Sequence, residues 1–289
     1  MTMKTYKMTV NRGTFNVRDS GNNDGYPVVM IHGWPESSYS WELVSPFISD
    51  KLRIIAPDLR GLGDSERTLN QDLYQKRELA RDMIEVINAL GIQDFYLVGH
   101  DWGGNIVQEI AFAVPDRVKK LVIMNFPVLS NAAGNAEAQR VIRDKGSFVL
   151  MYQYFQQQKG LAEAMIKGNE EVWIRWLFRK PAGEAGVPEE SIKEFIRCYA
   201  IEQTPFTGAC YYRNMRNDMK RWQELAGRKL PMPSFYLYGN KDVVIIPAYL
   251  NHIEDCFENI QVVQLDLGHF LQEENPDLVA EHLNNFLLS

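Results

Sequence analysis

Cysteine is scarce in this sequence, and the three present, Cys198, Cys210 and Cys256, are an odd number with no CxxC spacing. They offer no disulfide framework and read as reduced thiols of a cytosolic protein. Long apolar runs are also missing: nothing approaches the roughly 18 uninterrupted apolar residues of a membrane span. The opening MTMKTYKMTVNRGTF lacks the apolar core of a secretory signal. Positive charge is in short supply. Lys and Arg number 31 against 37 Asp and Glu, for a net charge of −6, and basic residues come only singly or in pairs. That balance argues against a nucleic-acid surface. There is no HExxH or comparable metal cluster, and Gly61-Leu62-Gly63 lacks the third glycine and the strand-to-helix setting of a dinucleotide site. Internal repeats and low-complexity stretches are absent. The expectation is a cytoplasmic protein that needs no cofactor or metal and has no nucleic-acid or membrane partner; a homodimer is compatible with the composition.

What is present is a chain of 289 residues, 45% hydrophobic, long enough for one large domain or a domain with a substantial insertion. TYKMTVN and GTFNVRDSG read as an opening antiparallel hairpin. PVVMIHG (27–33), LRIIAPDLRG (52–61), FYLVGHD (95–101) and VKKLVIMNFP (118–127) are apolar runs of the kind found in strands buried on both faces. Between them, Leu79, Met83, Val86, Ile87 and Leu90 recur at helical spacing up to a stop at Gly91, and NIVQEIAFAVP (105–115) is a second helix. This alternation predicts a mostly parallel α/β sheet flanked by helices.

After Pro127 the pattern changes. Residues from about 130 to 228 contain no convincing buried strand and are rich in helical runs and aromatics. Alternation resumes with PSFYLYG (233–239), a helix around PAYLNHIEDCF, the strand IQVVQLD (260–266) and a C-terminal helix. The expected organisation is therefore a discontinuous core, 1–127 plus 229–289, interrupted by a helical cap over 128–228. The aromatics of that cap serve equally as its own small core or as the cover of an apolar cleft.

Gly99-His100-Asp101-Trp102-Gly103 fits a G-x-nucleophile-x-G elbow, placed between a strand and a helix. Such a turn holds its central residue in a strained backbone conformation, at a cost on the order of 1–3 kcal/mol. The competing role for Asp101 is that of a helix N-cap. A carboxylate nucleophile carries chemical information. It attacks esters and amides poorly, because acyl transfer to it gives a reactive anhydride. It suits in-line attack on a saturated carbon bearing a leaving group, which forms an alkyl ester on the enzyme. The fitting substrates carry strained C–O bonds or C–halogen bonds.

Hydrolysing that ester needs an activated water. In elbow enzymes the partners follow in the order nucleophile, acid, histidine. Of the five histidines, His100 lies within the elbow, His32 ends a strand as a structural hydrogen-bonder, and His252 and His282 fall in helical patterns. His269 follows the strand IQVVQLD on a loop and is the expected base, and Asp242, directly after SFYLYG, the expected acid. An Asp after a strand is also an ordinary turn residue; its order relative to Asp101 and His269 favours the catalytic role. His32-Gly33-Trp34-Pro35 follows another strand, and the backbone N–H groups of Trp34 and Trp102 are the expected oxyanion donors. Pro35 suits a cis Trp34–Pro35 bond, or an ordinary turn.

Together these segments resemble the epoxide hydrolase branch of the α/β-hydrolases. HGWPESSYSW (32–41), GLGDS (61–65), VGHDWGG (98–104), GNKD and LGHFLQEENP are similar to that family's motifs, in the same order, with the cap matching least. The resemblance implies two cap tyrosines that hydrogen-bond the epoxide oxygen and protonate it as the ring opens. An alkoxide leaving group needs such an acid, and a phenol with a pKa of about 10 remains protonated at neutral pH. YYRNM (211–215) points to Tyr212 and MYQYFQ (151–156) to Tyr152, with Tyr154 as competitor and Met151 at that position in another alignment. Trp34, Trp102 and Phe155 complete the expected substrate-binding set. The implied activity is hydrolysis of a small apolar epoxide to a vicinal diol. The rivals are a haloalkane dehalogenase with the same Asp101, His269 and Asp242, and a non-catalytic binder. Dehalogenases often carry Asn where Trp34 stands. Fluoroacetate dehalogenases carry Arg where Trp102 stands, which counts against a carboxylate-bearing substrate here.

Overall fold

The computed structural model describes residues 3–146, 148–179 and 186–289. An opening hairpin of β1 (Lys4–Val10) and β2 (Gly13–Asp19) leads into β3 (Tyr26–Ile31), β4 (Leu52–Pro57), β5 (Phe95–His100), β6 (Val118–Met124), β7 (Ser234–Gly239) and β8 (Ile260–Leu265). They form one eight-stranded sheet in the order β1-β2-β4-β3-β5-β6-β7-β8. β2 is antiparallel to both of its neighbours, and all pairings from β4 onward are parallel.

The apolar runs of the sequence are explained by burial on both sides. Because successive side chains alternate across a strand, Val29, Ile31 and Leu97 pack on one face with α1 (Lys76–Ala89) and α2 (Trp102–Ala113). Val28, Met30, Ile54 and Val98 pack on the other with the C-terminal helix, through Val279, Leu283 and Phe286. α3 (Ala132–Lys145), α4 (Met151–Gln156), α5 (Leu161–Ile166), α6 (Glu170–Phe178), α7 (Glu189–Tyr199), α8 (Thr204–Arg213) and α9 (Met215–Leu225) lie between β6 and β7. After β8 come α10 (Leu271–Glu274) and α11 (Pro276–Leu287). No strand occurs among the described residues of 130–228, as the composition implied, while residues 1–2, 147 and 180–185 of the expected division lie outside the described ones.

One expected element is different. The segment PAYLNHIEDCF is two 3-10 turns, Pro247–Leu250 and Ile253–Cys256, rather than a helix. His252 stands between them at φ 62°, which breaks any continuous i→i+4 ladder, and its ring pairs with Glu137 at 3.2 Å instead of riding on a helix face. Cys198, Cys210 and Cys256 are buried free thiols. Among the described residues no helix is long and apolar enough to cross a membrane.

Candidate active site

The turn from β5 into α2 puts Asp101 at φ 49°, ψ −127°, a conformation that L-residues avoid. The neighbouring glycines make it reachable. A Cβ on Gly99 would lie 2.4 Å from the Gly103 carbonyl oxygen, and one on Gly103 would lie 2.2 Å from that of Ile31. A Cβ on Gly33 would meet the Asp101 Cβ at 2.6 Å, so the loop after β3 passes the nucleophile position only as glycine. Asp101 stands at the N-cap position of α2, yet its side chain makes no capping bond. Its carboxylate turns instead to other groups.

The Trp34 amide donates to Asp101 Oδ1 at 2.9 Å. On the other side, His269 Nε2 lies 3.6 Å from Asp101 Oδ2, and His269 Nδ1 lies 2.7 Å from Asp242 Oδ2. Asp242 combines both roles open to it in the sequence. Its Oδ1 accepts the amides of Val244 and Ile245 in a turn at 2.7 and 3.0 Å, which leaves Oδ2 for the histidine. Asp101, Asp242 and His269 are all buried and follow the C-terminal ends of β5, β7 and β8, the edge where open α/β sheets form sites. Trp102 opens α2, so its amide has no acceptor within the helix. The Trp34–Pro35 bond is cis.

Electrostatics bind these groups together. Burial by itself pushes the His269 imidazole down, but the adjacent carboxylates of Asp242 and Asp101 outweigh it and hold the ring well above its ordinary 6.5. For Asp101, burial favours the neutral acid; the contacts with His269 prevail and keep the carboxyl below its ordinary value. Asp101 and His269 thus each favour the charged form of the other.

Behind it lies a buried network that sequence patterns did not assign. His100 Nε2 donates to the His269 carbonyl at 2.7 Å, and His100 Nδ1 meets Glu36 Oε2 at 3.0 Å. Glu36 also accepts the Gly33 amide at 3.1 Å and the Gln272 side chain at 2.9 Å. Asn125 donates to the carbonyls of Gly268 and His269, each at 3.0 Å, and accepts the Gly239 amide at 2.9 Å. These side chains tie the loop after β3 to the loop carrying His269. The signal available in sequence was His100 next to the nucleophile and a Glu directly after Pro35, neither of which specifies a partner. His32 is the structural hydrogen-bonder expected: its Nδ1 donates to the Gly33 carbonyl at 2.7 Å and its Nε2 accepts the Leu59 amide at 3.0 Å.

Asp101, His269, Trp34, Pro35, Tyr152 and Trp176 are among the residues lining a cavity of about 270 Å³, otherwise almost wholly apolar. Tyr152, on α4, stacks on Trp34 with centroids 5.7 Å apart. Tyr212, on α8, packs edge-on against Tyr152, Trp34 and Trp102 at 5.6, 4.9 and 5.7 Å. Burial and then the charge of Asp101 push the Tyr152 phenol up; burial, then Tyr152 and Asp101, push Tyr212 up further. Tyr154, the competitor, is 70% exposed, and Met151 is also on the outside. Phe155 is placed differently from expectation. It lies three residues on from Tyr152 along α4, outside the lining of the Asp101 cavity. There it lines a separate apolar groove of about 400 Å³ and packs on Trp173 at 5.2 Å.

The α/β hydrolase fold family matches residues 26–276. The chain belongs to that family. This α/β-hydrolase is 30% identical over 265 residues to a soluble epoxide hydrolase of Corynebacterium sp. (strain C12), an alignment covering 89% of this chain and 88% of that one. It is 27% identical over 279 residues to bifunctional epoxide hydrolase 2 of Sus scrofa, covering 87% of this chain and 49% of the relative, and so spans about half that protein's length. The crystal structure of epoxide hydrolase A from Mycobacterium thermoresistibile superposes with a TM-score of 0.82 at 25% identity, covering 100% of this chain and 99% of that one.

Two outcomes follow for this α/β-hydrolase. Gly103→Ala should lower stability by about 3 kcal/mol or more in urea denaturation, since the methyl group meets the Ile31 and His32 carbonyls; an unchanged midpoint contradicts the close-approach account. Asp101→Asn removes an anion that favours the imidazolium, so the His269 titration followed by NMR should move to lower pH by about one unit or more. A shift upward would mean that Asp101 does not hold that charge in place.

Proposed function

We propose that this α/β-hydrolase opens an epoxide to a vicinal diol through a covalent ester on Asp101. The observation that carries the reading is Tyr152 in the lining of the cavity that holds the Asp101 carboxylate, with buried Tyr212 packed edge-on against it and against Trp34 and Trp102. A leaving alkoxide needs a proton and a leaving halide does not, so this pair of phenols favours the epoxide.

In the first half-reaction a carboxylate oxygen of Asp101 attacks a ring carbon and the C–O bond breaks. The alkoxide takes a proton from one of the tyrosines, leaving a hydroxyalkyl ester. Forming the ester consumes the charge on Asp101, and two consequences follow. The upward push of that charge on both phenols is relieved, so they become better acids as the ring opens. His269 loses one of the two carboxylates that hold it protonated, and its proton becomes easier to release. The nucleophilic step thereby prepares the base for the second step.

In that step neutral His269, oriented by Asp242, takes a proton from water while the hydroxide attacks the ester carbonyl. The Trp34 amide, already bound to Asp101 Oδ1, and the amide of Trp102 hold the oxyanion; one such donor is typically worth about 10²–10³ in rate. The intermediate collapses by expelling the diol oxygen, which takes the proton from His269. The tyrosinate takes up, through solvent, the proton that His269 gives up before the second step, and Asp101, released as the carboxylic acid, returns its proton to His269. The helices from α3 to α9 act as the cap that brings Tyr152 and Tyr212 over the sheet edge, and the apolar lining suits a small apolar epoxide.

A parallel assay for diol from an aryl epoxide and for bromide from a bromoalkane separates the two leaving groups; diol is the expected product, and bromide release without diol sinks the epoxide assignment. In a single turnover in ¹⁸O-water with excess enzyme, the first diol should carry oxygen from Asp101. Finding solvent oxygen in it removes Asp101 as nucleophile. His269→Gln should retain ring opening and accumulate the alkyl-enzyme, visible as the added mass of one epoxide.

A further inference from the structure

Lys76 has no part in the reaction above, yet its position is costly. It is the first residue of α1 and is 1% exposed. A buried ammonium loses several kcal/mol of hydration unless it is paired, and at a helix N-terminus it also faces the positive end of the dipole. An apolar side chain would fill the same space with neither penalty.

Its surroundings show what the charge is directed at. Lys76 Nζ donates to Asp218 Oδ2 of α9 at 2.8 Å, and the other oxygen of Asp218 accepts the Lys76 amide at 3.0 Å. The ammonium also donates to the carbonyl of Tyr211, the residue before Tyr212 on α8. Its remaining side rests on the face of the Trp102 ring, 3.8 Å from the centroid. A cation on an indole face is attracted by the ring electrons and draws density from the N–H. The Trp102 ring in turn packs edge-on against the Tyr212 ring, with centroids 5.7 Å apart. Burial pulls the Lys76 ammonium below its ordinary value, and the carboxylates of Asp218 and Asp101 act against it.

We propose that Lys76 is a positioning residue for ring opening: clamped by Asp218, its ammonium fixes the α8 backbone at Tyr211 and the Trp102 ring that packs on Tyr212, and so holds the Tyr212 hydroxyl in place as it gives up its proton. The proposal rests on the reading of Tyr212 as a proton donor. The proton goes from the Tyr212 oxygen to the epoxide oxygen, and Lys76 itself neither gives nor takes one. Because Lys76 acts on Tyr212, it bears on the first half-reaction, whereas the hydrolytic half depends on His269, Asp242 and the oxyanion amides.

The test compares Lys76→Met, a neutral side chain of similar length, with Lys76→Met/Asp218→Asn, which leaves no unpaired buried carboxylate. Both are examined in the wild-type and Tyr212→Phe backgrounds, with folding checked by circular dichroism. Single-turnover fluorescence and quenched-flow mass analysis give separate rates for formation and decay of the alkyl-enzyme. The double variant should form the intermediate about tenfold more slowly and hydrolyse it within twofold of the wild-type rate. In the Tyr212→Phe background the same change should have little further effect, the non-additivity expected of groups acting through one another. Equal slowing of both half-reactions, or full additivity with Tyr212→Phe, overturns the role assigned to Lys76 while leaving Tyr212 in place. Undiminished ring opening in Tyr212→Phe alone removes the reading of Tyr212, and the proposal with it.

Discussion

Three chain segments meet at the elbow with no room for side chains: the turn from β5 into α2, the end of β3 and the loop after it. Gly99, Gly103 and Gly33 are the residues that permit the contact, each with a virtual Cβ inside 3 Å of a neighbour. That closeness aims the Asp101 carboxylate at the Trp34 amide and His269 rather than along its own helix. The local backbone is strained, by about 1–3 kcal/mol for a residue of this kind. The parallel sheet offsets it, because the strand before and the helix after are each anchored by fully buried side chains such as Leu97, Val98, Ile106 and Val107.

Charge is arranged around that point as a chain. His269 lies between Asp242 and Asp101; both carboxylates raise the imidazole, and His269 in turn lowers Asp101 against the effect of burial. The arrangement is sensitive to the loss of any one charge, and esterification of Asp101 in the proposed reaction is such a loss. Glu36, His100 and Gln272 bond to one another, and His100 and Asn125 bond to the His269 backbone carbonyl rather than to the carboxylates and imidazole of the array. They restrict how far the His269 loop can drift from the loop after β3, and both loops must be in register for a water to lie between base and ester.

The helices between β6 and β7 complete the cavity from above. Their hold on the sheet layer is polar as well as apolar: Tyr211 donates to the Arg60 carbonyl at 2.8 Å, Thr207 to the Gly61 carbonyl at 2.7 Å, and Asn214 to the Gln71 carbonyl at 2.8 Å. With the Lys76–Asp218 pair, these bonds gather on α8 and α9, so Tyr212 stands on the firmly docked part of the layer. Tyr152 is held differently, by stacking on Trp34 and by the apolar neighbours of α4.

Much of this was legible in the sequence. Continuous apolar runs buried on both faces and the glycines of the elbow mark the sheet and the Asp101 turn, because both are local demands on neighbouring residues. The order Asp101, Asp242, His269 follows from connectivity, since loops at one edge of a parallel sheet converge however far apart they are in the chain. The segment at 247–256 misled because its apolar spacing is helical while His252 adopts a left-handed conformation that spacing does not reveal. Tyr152 against Tyr154, and the turning of Phe155 into another groove, depended on which side of α4 faces the sheet, a matter of docking between layers. The side-chain partners of Glu36, His100 and Lys76 are 64 to 236 residues away along the chain. Local residue preferences determined the strands and the elbow with Asp101 at its centre; only packing across those separations decided which buried charges meet and which faces of the helices close the site.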